Sequence, residues 1–169
     1  TATLRWTIVN GTCSTFDEVT LTNNPLPTIT TTGTIAPVCY SASQQTTSLA
    51  YAATTNNPIS YSIDWAALTD QGSTSFAFAA DGGTLTGVVI PAGVTAGIWN
   101  GTMTITNANG CTATQSVAVR VWATSVGGTA TANVSTICSG ADTYITLTDH
   151  STTDGSTIQW QKKTTGAFA

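Results

Sequence analysis

The chain has 169 residues, 41% of them hydrophobic and only 7% charged, with a net charge of −4 at neutral pH. Soluble proteins average about 25% charged residues, so neutral polar side chains do the solubilising here, and threonine alone makes up about a fifth of the chain. Four cations (Arg5, Arg120, Lys162 and Lys163) cannot build a basic face, which argues against nucleic acid, and no run nears the ~18 apolar residues of a membrane-spanning helix.

Threonine is β-branched and suits a half-buried pleated surface, so the composition favours strands. Trp6 to Leu21 (WTIVNGTCSTFDEVTL) reads as a β-hairpin turning at Asn10-Gly11, because both residues tolerate the positive φ of a tight turn. Asn23-Asn24-Pro25-Leu26-Pro27 reads as a linker stiffened by two prolines. Thr28 to Ala36 can be an extended strand with a break or bulge at Gly33, and Pro37-Val38-Cys39 opens the next unit.

Thr46 to Ala53 and Ile59 to Trp65 read as two strands around a turn at Asn56-Asn57-Pro58. In the second, Ile59, Tyr61, Ile63 and Trp65 fall on one face and Ser60, Ser62 and Asp64 on the other, the alternation of a half-buried strand. Ala66 to Asp70 is a helical turn or an irregular crossing. Phe76 and Phe78 mark a strand ended by Asp81-Gly82-Gly83, and Leu85 to Ile90 marks another before Pro91-Ala92-Gly93. Trp99 to Val121 is a second hairpin, turning at Asn107 to Gly110. A Gly-Thr-Ala linker strand follows Trp122, then Tyr144 to Leu147, then Ser156 to Trp160.

The two hairpins are one pattern. Trp6 aligns with Met103, Ile8 with Ile105, Cys13 with Cys111, Val19 with Val117 and Leu21 with Val119. Downstream, Ile137-Cys138 repeats Val38-Cys39, and Ser156 to Trp160 repeats the stretch that ends at Trp65. A period near one hundred residues has the size of one immunoglobulin-like unit. The expected fold is therefore all-β, with immunoglobulin-like β-sandwich repeats in tandem, one complete and two partial. Residues 1–25 would be the C-terminal hairpin of a preceding repeat, 26–122 a complete sandwich, and 123–169 the N-terminal half of a following repeat.

Val38-Cys39 and Ile137-Cys138-Ser139-Gly140 at unit starts, Tyr61 to Trp65 and Ile158-Gln159-Trp160 in the middle, and Pro91 to Gly97, Thr104 to Asn107 and Asn109-Gly110-Cys111 at the unit end resemble a known group. It is the tandem immunoglobulin-like repeats of large secreted surface proteins of Bacteroidota, including gliding-motility adhesins and other type IX secretion cargo. The resemblance covers essentially the whole chain and is structural in character. It implies an extracellular, cell-surface stalk or adhesin whose partners are neighbouring repeats or other copies of the protein. It leaves two alternatives: a carbohydrate-binding or spacer module of a secreted polysaccharide-degrading enzyme, and a subunit of a self-assembling extracellular fibre.

Four widely spaced cysteines without a CxxC, and a single His150, argue against zinc and for an oxidising compartment, with four free thiols as the alternative. Cys13–Cys111 and Cys39–Cys138 would each join sites one repeat apart, and Cys13–Cys39 needs the intervening strands to double back. The expected pair is Cys39–Cys111, with Cys13 and Cys138 bonded outside this segment. That pairing holds only if Thr28 to Ala36 is not a full first strand, which would send Cys39 to the opposite end from Cys111.

The acidic residues Asp17, Glu18, Asp64, Asp70, Asp81, Asp142, Asp149 and Asp154 lack the alternate spacing of a calcium loop. No catalytic set, metal site or cofactor is expected, and the chain reads as a non-enzyme. Trp65 and Trp160 read as sandwich core. Trp99 and Trp122 are the binding candidates, because an exposed indole can stack on the sugar rings of a surface polysaccharide.

Overall fold

The computed structural model describes residues 1–152 and 156–161. The chain forms two compact units, Thr1–Trp122 and Ala123–Ala169, and the described residues hold strands and no helix.

The first unit begins with strands β1 (Ala2–Asn10) and β2 (Cys13–Leu21), joined by a two-residue turn in which Gly11 takes a φ of 62°. They pair only with each other. The register sets Leu4 against Val19, Trp6 against Asp17 and Ile8 against Thr15, so Leu4, Trp6, Ile8, Val19 and Leu21 share one face. On the other face Arg5 lies 4.1 Å over the Phe16 ring and forms an ion pair with Glu18.

The stretch from Thr28 is not one strand. β3 (Thr28–Thr30) pairs with β6 (Ala53–Thr55), and β4 (Thr34–Cys39) joins a different sheet. The change of sheet falls at Gly33, whose φ is 73° and where any Cβ would overlap the Ser116 carbonyl oxygen. Only glycine fits that turn. β5 (Gln45–Tyr51) precedes β6 with a kink at Ala52, and β7 (Pro58–Trp65) follows. Tyr61, Ile63 and Trp65 are buried as the alternation demands; Ile59 is exposed, and Pro58 takes the buried place at the strand's start. Ala66 to Asp70 is an irregular crossing, tied by the Trp65 N–H donating to Asp70 Oδ1 at 2.9 Å. The next strand, β8 (Gln71–Ser75), lies earlier than Phe76 and Phe78 suggest; those rings pack edge-on outside any strand.

β9 (Gly83–Ile90), β10 (Gly97–Asn107) and β11 (Thr112–Trp122) complete one seven-stranded mixed sheet in the order β8-β7-β10-β11-β4-β5-β9. Its neighbours are antiparallel except β4 and β11, which run parallel. A single rung, Ile35 to Leu49, joins β4 to β5 and marks a sharp corner. The sheet curls around a core of Ile35, Leu49, Tyr61, Ile63, Leu85, Val88, Met103, Ile105 and Val119, each at most 1% exposed. The curl brings the two edge strands together. Gln71 on β8 accepts from the Val89 N–H at 2.9 Å and donates to the Gly87 carbonyl at 3.0 Å, both on β9. Its amide stands in for a missing ladder rung, and the sheet is nearly closed.

The second unit contains β12 (Thr129–Ala132) and β13 (Ile145–Thr148), an antiparallel pair. Ser156 to Trp160 forms no strand, and Trp160 is 58% exposed rather than buried like Trp65 at 3%. Trp160 as a core residue is thus corrected: it stands on the surface of the second unit.

Candidate functional site

The thiols are placed by the two ends of β11. Cys39 ends β4 beside Trp122, and the following Tyr40 N–H donates to the Trp122 carbonyl at 2.8 Å. Cys111 sits before Thr112 at the other end of β11, with its Sγ 3.7 Å from the Asn24 carbonyl. Eleven residues of strand separate them, about 35 Å at ~3.3 Å each, whereas a disulfide needs Cα atoms within ~7 Å. The expected Cys39–Cys111 bond is therefore not made, because β4 runs the full way from Gly33 to the far end of the sheet. All four cysteines are free thiols: Cys13, Cys39 and Cys138 exposed, Cys111 half-buried.

The same placements show where the chain comes in and leaves. Asn107, 4% exposed, donates from Nδ2 to the Pro25 carbonyl at 3.1 Å, and its Oδ1 accepts from the N–H groups of Asn109 and Cys111. One side chain thus shapes the β10–β11 turn and fixes the incoming linker to it. Trp122 lies at the opposite pole. Nothing in the hydrophobic pattern marks Asn107 for this role, although the asparagine-rich turn around it is legible.

The two tryptophan candidates differ. Trp122 is half-buried, and the Arg120 guanidinium stacks 3.9 Å over its ring, which occupies one indole face. Trp99 packs partly on the core and donates its indole N–H to the Thr95 carbonyl at 3.0 Å. Its ring walls a shallow groove with Leu68, Pro91 and Val94. An indole held this way offers an apolar face with its polar edge already used.

The carboxylates stay apart: among the described residues no three His, Cys, Asp or Glu side chains converge as a metal site would require, and Asp154 lies outside them. His150 and Ser151 line a surface groove in the second unit with Val126, Leu147, Ile158 and Trp160. Ser151 Oγ there accepts from the Val126 N–H, and Ser156 Oγ donates to the Ser151 carbonyl, so these hydroxyls serve the backbone.

The most organised polar cluster lies at the closure of the sheet. Besides its two bonds to β9, Gln71 donates to the Tyr61 hydroxyl at 3.1 Å, and that hydroxyl donates to the Thr86 carbonyl at 3.2 Å. Burial pushes the Tyr61 phenol above its ordinary value, and the bond from Gln71 opposes part of that rise. These bonds join β7, β8 and β9, so the cluster acts as a clasp across the closure of the sheet. No family model matches the chain, and no curated protein does either.

Proposed function

We propose that the chain is a non-catalytic, load-bearing segment of an extracellular tandem-repeat surface protein, built of immunoglobulin-like sandwiches. The observation that carries this reading is the pairing of β4 with β11. These are the first long strand and the last strand of the seven-stranded sheet, and they lie side by side and parallel. The chain comes in beside Asn107 and leaves at Trp122, at opposite poles. Tension along the chain therefore shears the whole β4–β11 ladder at once instead of peeling its bonds singly.

The parallel β4–β11 pair, the antiparallel β7–β10–β11 set and the one-rung corner at Ile35 also support the sandwich reading, with β5 and β9 as the second layer. Repetition is supported by register. Under the alignment of Trp6 with Met103 and Val19 with Val117, the rung Leu4–Val19 becomes Gly101–Val117, Trp6–Asp17 becomes Met103–Gln115, and Ile8–Thr15 becomes Ile105–Ala113. Likewise, aligning Cys39 with Cys138 and Trp65 with Trp160 turns the rung Thr30–Ala53 into Thr129–Thr148.

Single-molecule pulling on the chain tests the proposal. Residues 26–122 should rupture in one event releasing roughly 30 nm of chain, the extended length at about 3.6 Å per residue less the span between the poles. Extension without a discrete rupture would overturn it. The polysaccharide-binding alternative rests on the Trp99 groove; retention of a surface glycan by the chain, lost in Trp99→Ala, would favour it over a purely mechanical role.

A further inference from the structure

The apolar face of β1–β2 is fully formed and uncovered: Leu4 is 54% exposed, Trp6 52%, Ile8 63%, Val19 44% and Leu21 53%. The equivalent face of β10–β11 is buried, with Met103 at 0%, Ile105 at 1%, Val117 at 3% and Val119 at 0%. There β10 is flanked by antiparallel β7 and β11 by parallel β4, and the second layer closes over them. Resting on the repeat reading above, the covered hairpin is a template for what must cover the bare one.

The template does not transfer unchanged. Gly101 has no Cβ because a carbon there would stand 2.8 Å from Trp65 Cε3 and 2.9 Å from the Asp64 carbonyl oxygen. The aligned position in the first hairpin is Leu4, and Met103 is replaced by the larger Trp6. The bare hairpin therefore carries extra bulk at two neighbouring positions of its inward face, where the covered one leaves room for the Trp65 ring. Close-packed interiors accept such exchanges only when volume is conserved across the contact.

We propose that β1–β2 docks on an immunoglobulin-type half-sandwich whose strand beside β1 carries a small side chain at the place of Trp65. That partner supplies an antiparallel strand to β1 and a parallel one to β2, and its apolar layer receives Trp6, Ile8 and Leu21. The ring volume has moved across the interface, from the cover to the hairpin. The sequences this chain itself contains are thereby excluded, since Trp65 and Trp160 both keep the indole.

The test fuses a probe, residues 26–97 of this chain, directly ahead of Thr1 of the full chain, so that Gly97 precedes Thr1 as it precedes Ile98. Hydrogen exchange of the amides of residues 2–21 is read in the chain alone and in three fusions: unaltered, with Leu4→Gly, and with Trp65→Ala in the added copy only. Exchange should slow at least 100-fold with either substitution and less than 10-fold in the unaltered fusion. Equal protection in the unaltered and Trp65→Ala fusions, or protection with Leu4→Gly alone, overturns the small-residue requirement and leaves the repeat reading standing. No protection in any fusion overturns both. Protection in the chain alone that rises with its concentration assigns the face to a second copy and overturns the proposal.

Discussion

Gln71 uses both ends of its amide on β9 and a further donor bond on Tyr61, so one side chain holds the two edges of the sheet together. Its neighbours Asp70 and Gly72 make the stretch read as a loop, and no local pattern in the sequence singles it out. Its role depends on a curl that only the folded sheet has. Replacing it by an apolar residue of similar size would leave the half-buried Val89 N–H and Gly87 carbonyl without these partners. Gln71→Leu should therefore cost about 1–3 kcal/mol in urea denaturation, and a loss below about 0.5 kcal/mol would show that the edges are held otherwise. Tyr61 adds a pH dependence of definite sign. Its folded-state pKa is raised by burial, so the protonated phenol stabilises the fold fully below the ordinary value of about 10 and that contribution is lost as pH rises through the raised value. Tyr61→Phe should be less stable than the parent by about 1 kcal/mol at neutral pH, and the difference should shrink as pH rises above the ordinary phenol value of about 10. A constant difference would contradict this.

At the scale of elements, alternation is the signal that carries furthest. Both hairpins and β7 are visible because apolar and polar residues alternate over seven or more positions, which needs no tertiary information. The stretch from Thr28 is half legible: Gly33 marks an interruption, but the change of sheet there is imposed by the close approach of Ser116, about eighty residues away, which no local pattern shows. The expected disulfide fails for the same reason: once β4 runs on to Cys39, the thiol is delivered to the outlet pole. In the native chain three thiols should react quickly with an aromatic disulfide reagent (Cys13, Cys39 and Cys138), with Cys111 slower because it is half-buried against the linker. A Cys39–Cys111 crosslink recovered by peptide mapping after gentle oxidation would contradict this strand order.

At the scale of the whole molecule, the two hairpins β1–β2 and β10–β11 share one register under the alignment of Trp6 with Met103 and Val19 with Val117. Which faces are covered is not legible, because cover depends on what lies opposite a strand and not on the strand's own pattern. The two hairpins share register and alternation yet differ in burial, and an uncovered two-stranded hairpin is marginal in water. Native-state hydrogen exchange of the unmodified chain reads that difference most directly. Amides of β10 and β11 should exchange only through global unfolding of the sheet, while those of β1 and β2 should exchange within about tenfold of unstructured peptide rates. Equal protection of the two hairpins would show that β1–β2 is already covered, and would contradict the claim that it is a sandwich hairpin waiting for its other half.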